Sequence, residues 1–256
     1  MNKNKKYILI VGGSGTIGKN LINYFLKKEH FVINLDKNPY LNQSINYKFI
    51  KVDITNKNNL NKKFEFLKKK FEKIDTCINL FHFKGGSKLK PHAKFFNSFE
   101  DYSFKIWKET IDTNLNSLFL ICQHMVKIFK KNKSGGTIVN TSSTYGINSP
   151  NHTIYGDSGI NSPISYATTK GAIINFSKYL ATYYAREKIR VNVVCPGGIQ
   201  NKNQSKEFIK KYSKITPMKR LAKEHEFNEI YEYLSIGKSD YVTGAIFTID
   251  GGFTAW

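Results

Sequence analysis

Seven short apolar runs punctuate the chain, at residues 7–11, 31–35, 48–52, 74–80, 136–141, 189–195 and 245–249. The first, Tyr7-Ile8-Leu9-Ile10-Val11, is apolar at successive positions, the pattern of a strand covered on both faces in a parallel sheet. Between the runs the period changes. Leu21, Ile22, Phe25 and Leu26 recur at helical spacing, as do apolar positions within residues 60–71, 107–131, 166–186 and 224–236. Residues 202–212 form a more polar helix or lid, and the stretches 83–101 and 148–163 are polar loops over the mouth of any site. Strands alternating with helices predict an α/β fold, a doubly wound parallel sheet of about seven strands with helices on both faces. The whole of residues 1–256 is expected to form one domain.

Chemistry enters at the strand ends. Gly12-Gly13-Ser14-Gly15-Thr16-Ile17-Gly18 follows the first strand directly and opens a helix, which is the context of a dinucleotide-binding turn. Gly12 allows the tight turn, Gly15 lets backbone approach a pyrophosphate, and Gly18 lets helix and strand pack closely. Asp36 ends the second strand about 20 positions on, where a carboxylate bonds the adenosine ribose hydroxyls and repels a 2′-phosphate. NAD is therefore the expected cofactor. Lys37 beside it leaves NADP possible. Asp53 either reaches the adenine edge or caps the helix that follows Thr55.

Asn114 stands inside the 107–131 helix, as a residue at the edge of the core or a deliberate break in the backbone. Ser142-Ser143-Thr144-Tyr145 ends the fifth strand, where parallel sheets bind ligands. Tyr166 and Lys170 are four apart on one helix and share a face. An ammonium beside a phenol favours the phenolate, bringing a group of free pKa about 10 toward the range of a proton shuttle.

Composition narrows the partners. The net charge of +21 invites a nucleic-acid reading, but it is carried by lysines dispersed among asparagines, with arginine only at Arg186, Arg190 and Arg220. A dedicated nucleic-acid function is not expected, and the composition fits AT-rich codons. No apolar run approaches the roughly 18 residues that span a bilayer, and the first run is too short for a signal peptide. Cys77, Cys122 and Cys195 fit neither a disulfide framework nor a zinc site, so no metal is expected and a reducing cytoplasm is.

With these residues in view, the chain resembles the single-domain type of the short-chain dehydrogenase/reductase family over essentially its whole length. That resemblance implies a Rossmann-type fold, with the glycine motif on Gly12, Gly15 and Gly18 and the Tyr-x-x-x-Lys motif on Tyr166 and Lys170. It places the catalytic serine at Ser143 rather than Ser142, the proton-relay asparagine at Asn114, and the nicotinamide-side motif at Pro196, Gly197 and Ile199. Ser14, Thr16, Ile17, Asp36, Asp53, Ile54 and Asn79 complete the implied cofactor contacts, with Tyr166 and Lys170. The tail, from Tyr241-Val242-Thr243-Gly244 through Asp250-Gly251-Gly252, also looks like the family's.

There are departures from the family pattern. Asn79-Leu80-Phe81-His82 replaces its Asn-Asn-Ala-Gly, Thr16 replaces a usual glycine, and Asn201 stands for a threonine. The long gap from Ser143 to Tyr166, Thr144-Tyr145-Gly146 and Pro196-Gly197-Gly198-Ile199 are similar to a subgroup of flagellin-glycan and acylneuraminate-type sugar biosynthesis.

The implied activity is an NAD(P)-dependent oxidoreductase on a hydroxyl or ketone of a sugar or sugar derivative. Tyr166 would exchange the proton, Ser143 hold the same oxygen, Lys170 bond the nicotinamide ribose, and Asn114 anchor a water leading protons outward. Candidate substrate contacts are His92, His152, Asp157 and Lys202. A sugar-nucleotide epimerase or dehydratase retaining NAD is disfavoured, since only residues 201–236 are available as a substrate region. A non-catalytic dinucleotide sensor would be expected to lack the tyrosine or the lysine. Packing of the 107–131 and 166–186 helices against another copy implies a homodimer or homotetramer.

Overall fold

The computed structural model describes residues 5–83, 86–87, 90–91, 93–132, 134–155, 161–202 and 204–256. Strands β1 (Tyr7–Val11), β2 (Phe31–Asp36), β3 (Tyr47–Lys51), β4 (Thr76–Asn79), β5 (Gly136–Thr141), β6 (Ile189–Pro196) and β7 (Ile246–Ile249) form a sheet in the order β3-β2-β1-β4-β5-β6-β7. Every pairing in it is parallel. The strand order therefore reverses between β1 and β4, and the carboxyl edge at such a point is where open parallel sheets bind ligands.

The period of two along each strand separates two cores. On one face Leu9, Val11, Ile33 and Leu35 pack with α2 (Lys57–Lys70), α4 (Ser117–Lys131) and α5 (Ile164–Tyr183). On the other, Ile8, Ile10, Val32 and Val194 pack with α1 (Thr16–Lys27) and α7 (Asn228–Ser235). The lysine-rich α2 shows how composition and patterning cooperate. Leu60, Phe64 and Leu67 are wholly buried along one stripe while its lysines face outward. Each such side chain contributes roughly 1.5–3 kcal/mol.

The expected 107–131 helix is two helices. α3 (Phe104–Ile111) passes through a π-helical turn, Asp112–Asn116, into α4. Ser117 accounts for part of the break: its hydroxyl donates to the carbonyls of Asp112 (2.9 Å) and Ile54 (3.1 Å), tying the turn to the β3–α2 connection. The widened turn carries Asn114 into the interior. A smaller third cluster, Ile154, Tyr212, Leu221 and Phe253, joins α6 (Lys206–Ile215) to the segment after β5 and to the chain end. Among the described residues no helix is long and apolar enough to cross a membrane, and no cluster of His, Cys, Asp and Glu could hold a metal ion.

Beside α6, the turn that leads into α7 is held by an ion pair. Arg220 donates to both carboxylate oxygens of Glu226, at 2.6 and 2.7 Å, and the Lys223 backbone N–H donates to one of them. These contacts, Arg220 first, lower the Glu226 pKa to about 2. The stabilisation is thus complete above the unfolded carboxyl's range near 4.5 and is lost as pH falls through about 2. Glu226→Gln is expected to lower the melting temperature slightly at neutral pH, with the gap to the parent narrowing between pH 5 and pH 2. A gap independent of pH would contradict this account.

Candidate active site

The glycine turn sits at the sheet's switch point. Gly12 has φ of +81°, and a Cβ there would lie 2.7 Å from the Phe81 nitrogen, so only glycine allows the β1 loop to meet the segment after β4. Gly18 closes on Gly13, whose Cα would be 2.5 Å from an added Cβ. Gly15 differs. A Cβ there would meet nothing nearer than the Gly12 carbonyl at 3.5 Å, so this side of the turn is open.

Gly15 also stands at the N-cap of α1, which has no side-chain cap and no acidic residue in its first turn. The unmatched backbone N–H groups of that turn and the helix dipole favour an anion. Thr16 is exposed and Ile17 packs against the α1-side core. Asp36 holds the loop in place, accepting from the N–H groups of Ser14 (3.0 Å) and Asn38 (2.9 Å). The Ser14 hydroxyl donates to the Asn38 carbonyl. An open cradle of backbone donors with a carboxylate at the end of β2 fits a dinucleotide. Gly12, Gly15, the start of α1 and Asp36 are the residues that would hold it.

Asp53, left between two roles by its sequence context, accepts from the N–H and hydroxyl of Thr55 in a local turn. The cap of α2 is Asn56, which accepts from the Asn59 N–H. Ile54 is half-buried against the core, and its carbonyl takes the Ser117 hydroxyl. The Asn79 side chain turns inward, donating to Asn140 Oδ1 (2.8 Å) in a buried network that continues from Asn140 to Ser177.

The candidate residues Ser143, Tyr166 and Lys170 lie where the end of β5 meets α5. Ser142 Oγ donates to the Lys170 carbonyl (2.7 Å), so this hydroxyl is spent on fixing strand to helix. Ser143, the next residue, accepts from the Tyr145 N–H at 3.2 Å and keeps its own proton available. Geometry thus separates two adjacent serines that sequence could only rank.

Lys170 is buried and its ammonium donates to the Thr141 carbonyl at 2.9 Å. The same nitrogen lies 5.6 Å from the centre of the Tyr166 ring. The His82 and Tyr166 rings make a T-shaped contact, at 6.1 Å between centroids.

Asn114 braces the arrangement. Its Oδ1 accepts from the Phe83 N–H (2.7 Å) and its Nδ2 donates to Thr169 Oγ1 (3.0 Å), whose hydroxyl donates to the Tyr166 carbonyl. The π-helical turn therefore links the segment after β4 to the first turns of α5, which carry Tyr166. Asn114→Ala leaves the Phe83 N–H without this acceptor and is expected to cost about 1–3 kcal/mol in denaturant unfolding. A loss below a few tenths would contradict the bracing role.

Pro196, Gly197 and Ile199 close the far side at the end of β6. A Cβ on Gly197 would lie 2.8 Å from Asp250 Cα, and Ile199 bridges to Ala222. Gly198 donates to the hydroxyl of Tyr212, which brings α6 over this edge, and Tyr212 stacks on Phe253 at 5.0 Å. Tyr145 and Tyr155 add two phenols whose oxygens are 3.4 Å apart. Burial raises the pKa of all three, that of Tyr212 to about 12, so they are neutral at physiological pH.

This tyrosine wall and His82 were not anticipated as site residues. Tyr212 comes from a segment far from the other two and no local pattern marks it or Tyr155, whereas Tyr145 stands in the strand-end run Ser142-Ser143-Thr144-Tyr145. His152 and Lys202 are exposed, while His92 and Asp157 lie outside the described residues. All three cysteines are buried free thiols, and burial raises their pKa, to about 11 for Cys195 and about 12 for Cys122.

A family model described as "Enoyl-(Acyl carrier protein) reductase" matches residues 34–254. The chain belongs to the short-chain dehydrogenase/reductase family. Post-translational flagellin modification protein A of Campylobacter coli is 29% identical, over 97% of this chain and 98% of that protein. The 3-oxoacyl-[acyl-carrier-protein] reductase FabG of Buchnera aphidicola is 27% identical, over 98% of each. Among solved structures, a short-chain dehydrogenase of Leptospira borgpetersenii with bound NAD+ superposes with a TM-score of 0.88. It is 36% identical, with coverage of 98% of this chain and 93% of that one. This family membership makes the chain an oxidoreductase that uses a nicotinamide dinucleotide and acts on a small molecule.

Proposed function

We propose that this oxidoreductase uses NAD in preference to NADP and interconverts a hydroxyl and a carbonyl on a sugar or sugar derivative, with Tyr166 as the general acid and base. The observation that carries the reading is the buried Lys170 ammonium, held by the Thr141 carbonyl and lying 5.6 Å from the centre of the Tyr166 ring. The ammonium stabilises negative charge on the Tyr166 oxygen. That oxygen takes the proton from a substrate hydroxyl in one direction and returns it to a carbonyl in the other. Ser143 donates a hydrogen bond to the same substrate oxygen and fixes it beside the phenol. Asn114 keeps Tyr166 and Lys170 in register through Thr169 and anchors the outward proton path. When bound, the nicotinamide supplies the acceptor or donor of the hydride at the substrate carbon.

Asp36 supports NAD, since a second anion at the ribose would face its carboxylate. The sugar class is supported by the flagellin-modification relative and by the phenols of Tyr145, Tyr155 and Tyr212, which offer neutral hydrogen-bonding groups. A homodimer or homotetramer is supported by Phe119 on α4 and by Tyr179 and Tyr183 on α5, all large and exposed. The test is substrate-dependent nicotinamide absorbance with NAD+ and with NADP+ across sugars, sugar phosphates, nucleotide sugars and acyl thioesters. One sugar class should reduce NAD+ faster than NADP+. Turnover of thioesters alone overturns the substrate class, and a preference for NADP+ overturns the role given to Asp36.

A further inference from the structure

Next to the reactive residues, on the outer side of Tyr145, lies a depression of about 580 Å3. That volume falls in the range of roughly 300–1,000 Å3 that small-molecule sites occupy. Tyr145 and Gly146 bring it within two residues of Ser143, and Ala167 borders it directly after Tyr166. Tyr145 is the partition, facing the depression while its hydroxyl lies 3.4 Å from that of Tyr155.

The lining has an unusual composition for this molecule. Charged residues make up 23% of the chain, and the net charge is +21. Yet none of the fourteen described residues that line the depression is Lys, Arg, Asp or Glu. At the chain's average, about three would be expected. Among the described residues no lysine or arginine lines this depression to offset the desolvation of a phosphate, a nucleotide or a carboxylate.

What the depression does offer is one exposed ring, Phe99 (79% exposed), with Ile147 and Ile164 beside it. The side chains of Asn148, Ser149 and His152 are exposed on its rim. The Phe99 turn is anchored to the opposite wall, since Asn161 Nδ2 donates to the Phe96 carbonyl at 2.8 Å. A flat apolar ring in one depression with amide, hydroxyl and imidazole groups, and with no charged residue among its described lining, matches a ligand with C–H faces and hydroxyl edges.

We infer that this depression is a subsite for an uncharged glycosyl group, the part of the substrate beyond the reacting carbon. It rests on the assignment of Tyr166 and Ser143 to a sugar substrate and narrows it, away from sugar phosphates and nucleotide sugars and toward neutral glycosides. Phe99 stacks on the sugar face, and Asn148 and His152 bond its hydroxyls.

The test is direct binding, by saturation-transfer NMR on the full chain with NAD+ present and Tyr166→Phe introduced to stop turnover. The probes are N-acetylglucosamine, cellobiose, glucose 6-phosphate and a short acyl thioester. Phe99 and Asn148 are exposed, so Phe99→Ala and Asn148→Ala leave the packed core intact, and NAD+ affinity serves as the control. A neutral sugar should bind, and each substitution should weaken it about tenfold or more. Absence of neutral-sugar binding, or binding unchanged by both substitutions, overturns the subsite. So does dependence on Phe99 shown only by the phosphate or the thioester. Binding of a neutral sugar through Phe99 without any sugar-dependent reduction of NAD+ would keep the subsite and overturn the sugar dehydrogenase reading. Sugar turnover insensitive to Phe99 would do the reverse.

Discussion

Gly12→Ala is expected to cost about 3 kcal/mol of stability or more, whereas Gly15→Ala should fold like the parent and lose its dinucleotide. The two glycines belong to one turn, but their surroundings are opposite. At Gly12 the backbone lies at φ of +81° and an added Cβ would meet Phe81 main chain at 2.7 Å, so both conformation and contact resist the methyl. Main chain cannot yield as a side chain does, and the β4 segment bearing His82 would have to shift. At Gly15 φ is −78°, an ordinary value, and the nearest atom to the new methyl is 3.5 Å away. The methyl then occupies the space where a pyrophosphate would approach the backbone. NAD+ affinity should fall at least about tenfold, or ~1.4 kcal/mol, with the unfolding midpoint unchanged. Equal effects of both substitutions on stability, with NAD+ affinity kept by Gly15→Ala, would contradict the cradle.

Removing one oxygen at Tyr166 should have the largest effect on rate. Tyr166→Phe keeps the ring against which Lys170 and His82 stand, so the fold and NAD+ affinity should survive. It removes the atom that exchanges the proton, and kcat is expected to fall about 10²–10⁴-fold. Ser143→Ala retains Tyr166 and should fall less steeply, mainly through misplacement of the substrate oxygen. A Tyr166→Phe enzyme within a few-fold of the parent would show that another group carries the proton, and His82 is the titratable side chain placed to do so.

The parts of this molecule that could be read from the chain are those fixed locally. Runs apolar at every position announce parallel strands, because both faces of the sheet are covered, and all seven appear within a few residues of their expected bounds. The glycine turn was legible for a similar reason: strand, glycines and helix are consecutive, so one stretch contains the whole device. Tyr166 and Lys170 were legible because four residues make one helical turn.

Features set by distant partners were not legible. The π-helical turn depends on Asn114 reaching Phe83 and Thr169, and on Ser117 reaching Ile54. Nothing within residues 107–131 reveals those partners, so the segment reads as one long helix in which Asn114 marks either a core edge or a break, and the structure has the break. Ser142 and Ser143 are chemically equivalent in sequence, and only the docking of α5 consumes the first. Asp53 reads as a contact to the adenine edge or as the cap of α2, and the cap is instead Asn56. Tyr212 joins Tyr145 and Tyr155 because α6 packs over the end of β6, a consequence of topology rather than of pattern.

The central claim, that a hydride leaves the substrate carbon while Tyr166 exchanges the proton, is tested most directly with a deuterium label on that carbon. A sugar deuterated at the oxidised position would be incubated with NAD+ and the products analysed by NMR. The account predicts label in the reduced nicotinamide, a carbonyl on the sugar, and loss of both in Tyr166→Phe. Label retained in a sugar of inverted configuration, or exchanged into solvent with loss of water, would contradict it and assign the site to epimerisation or dehydration.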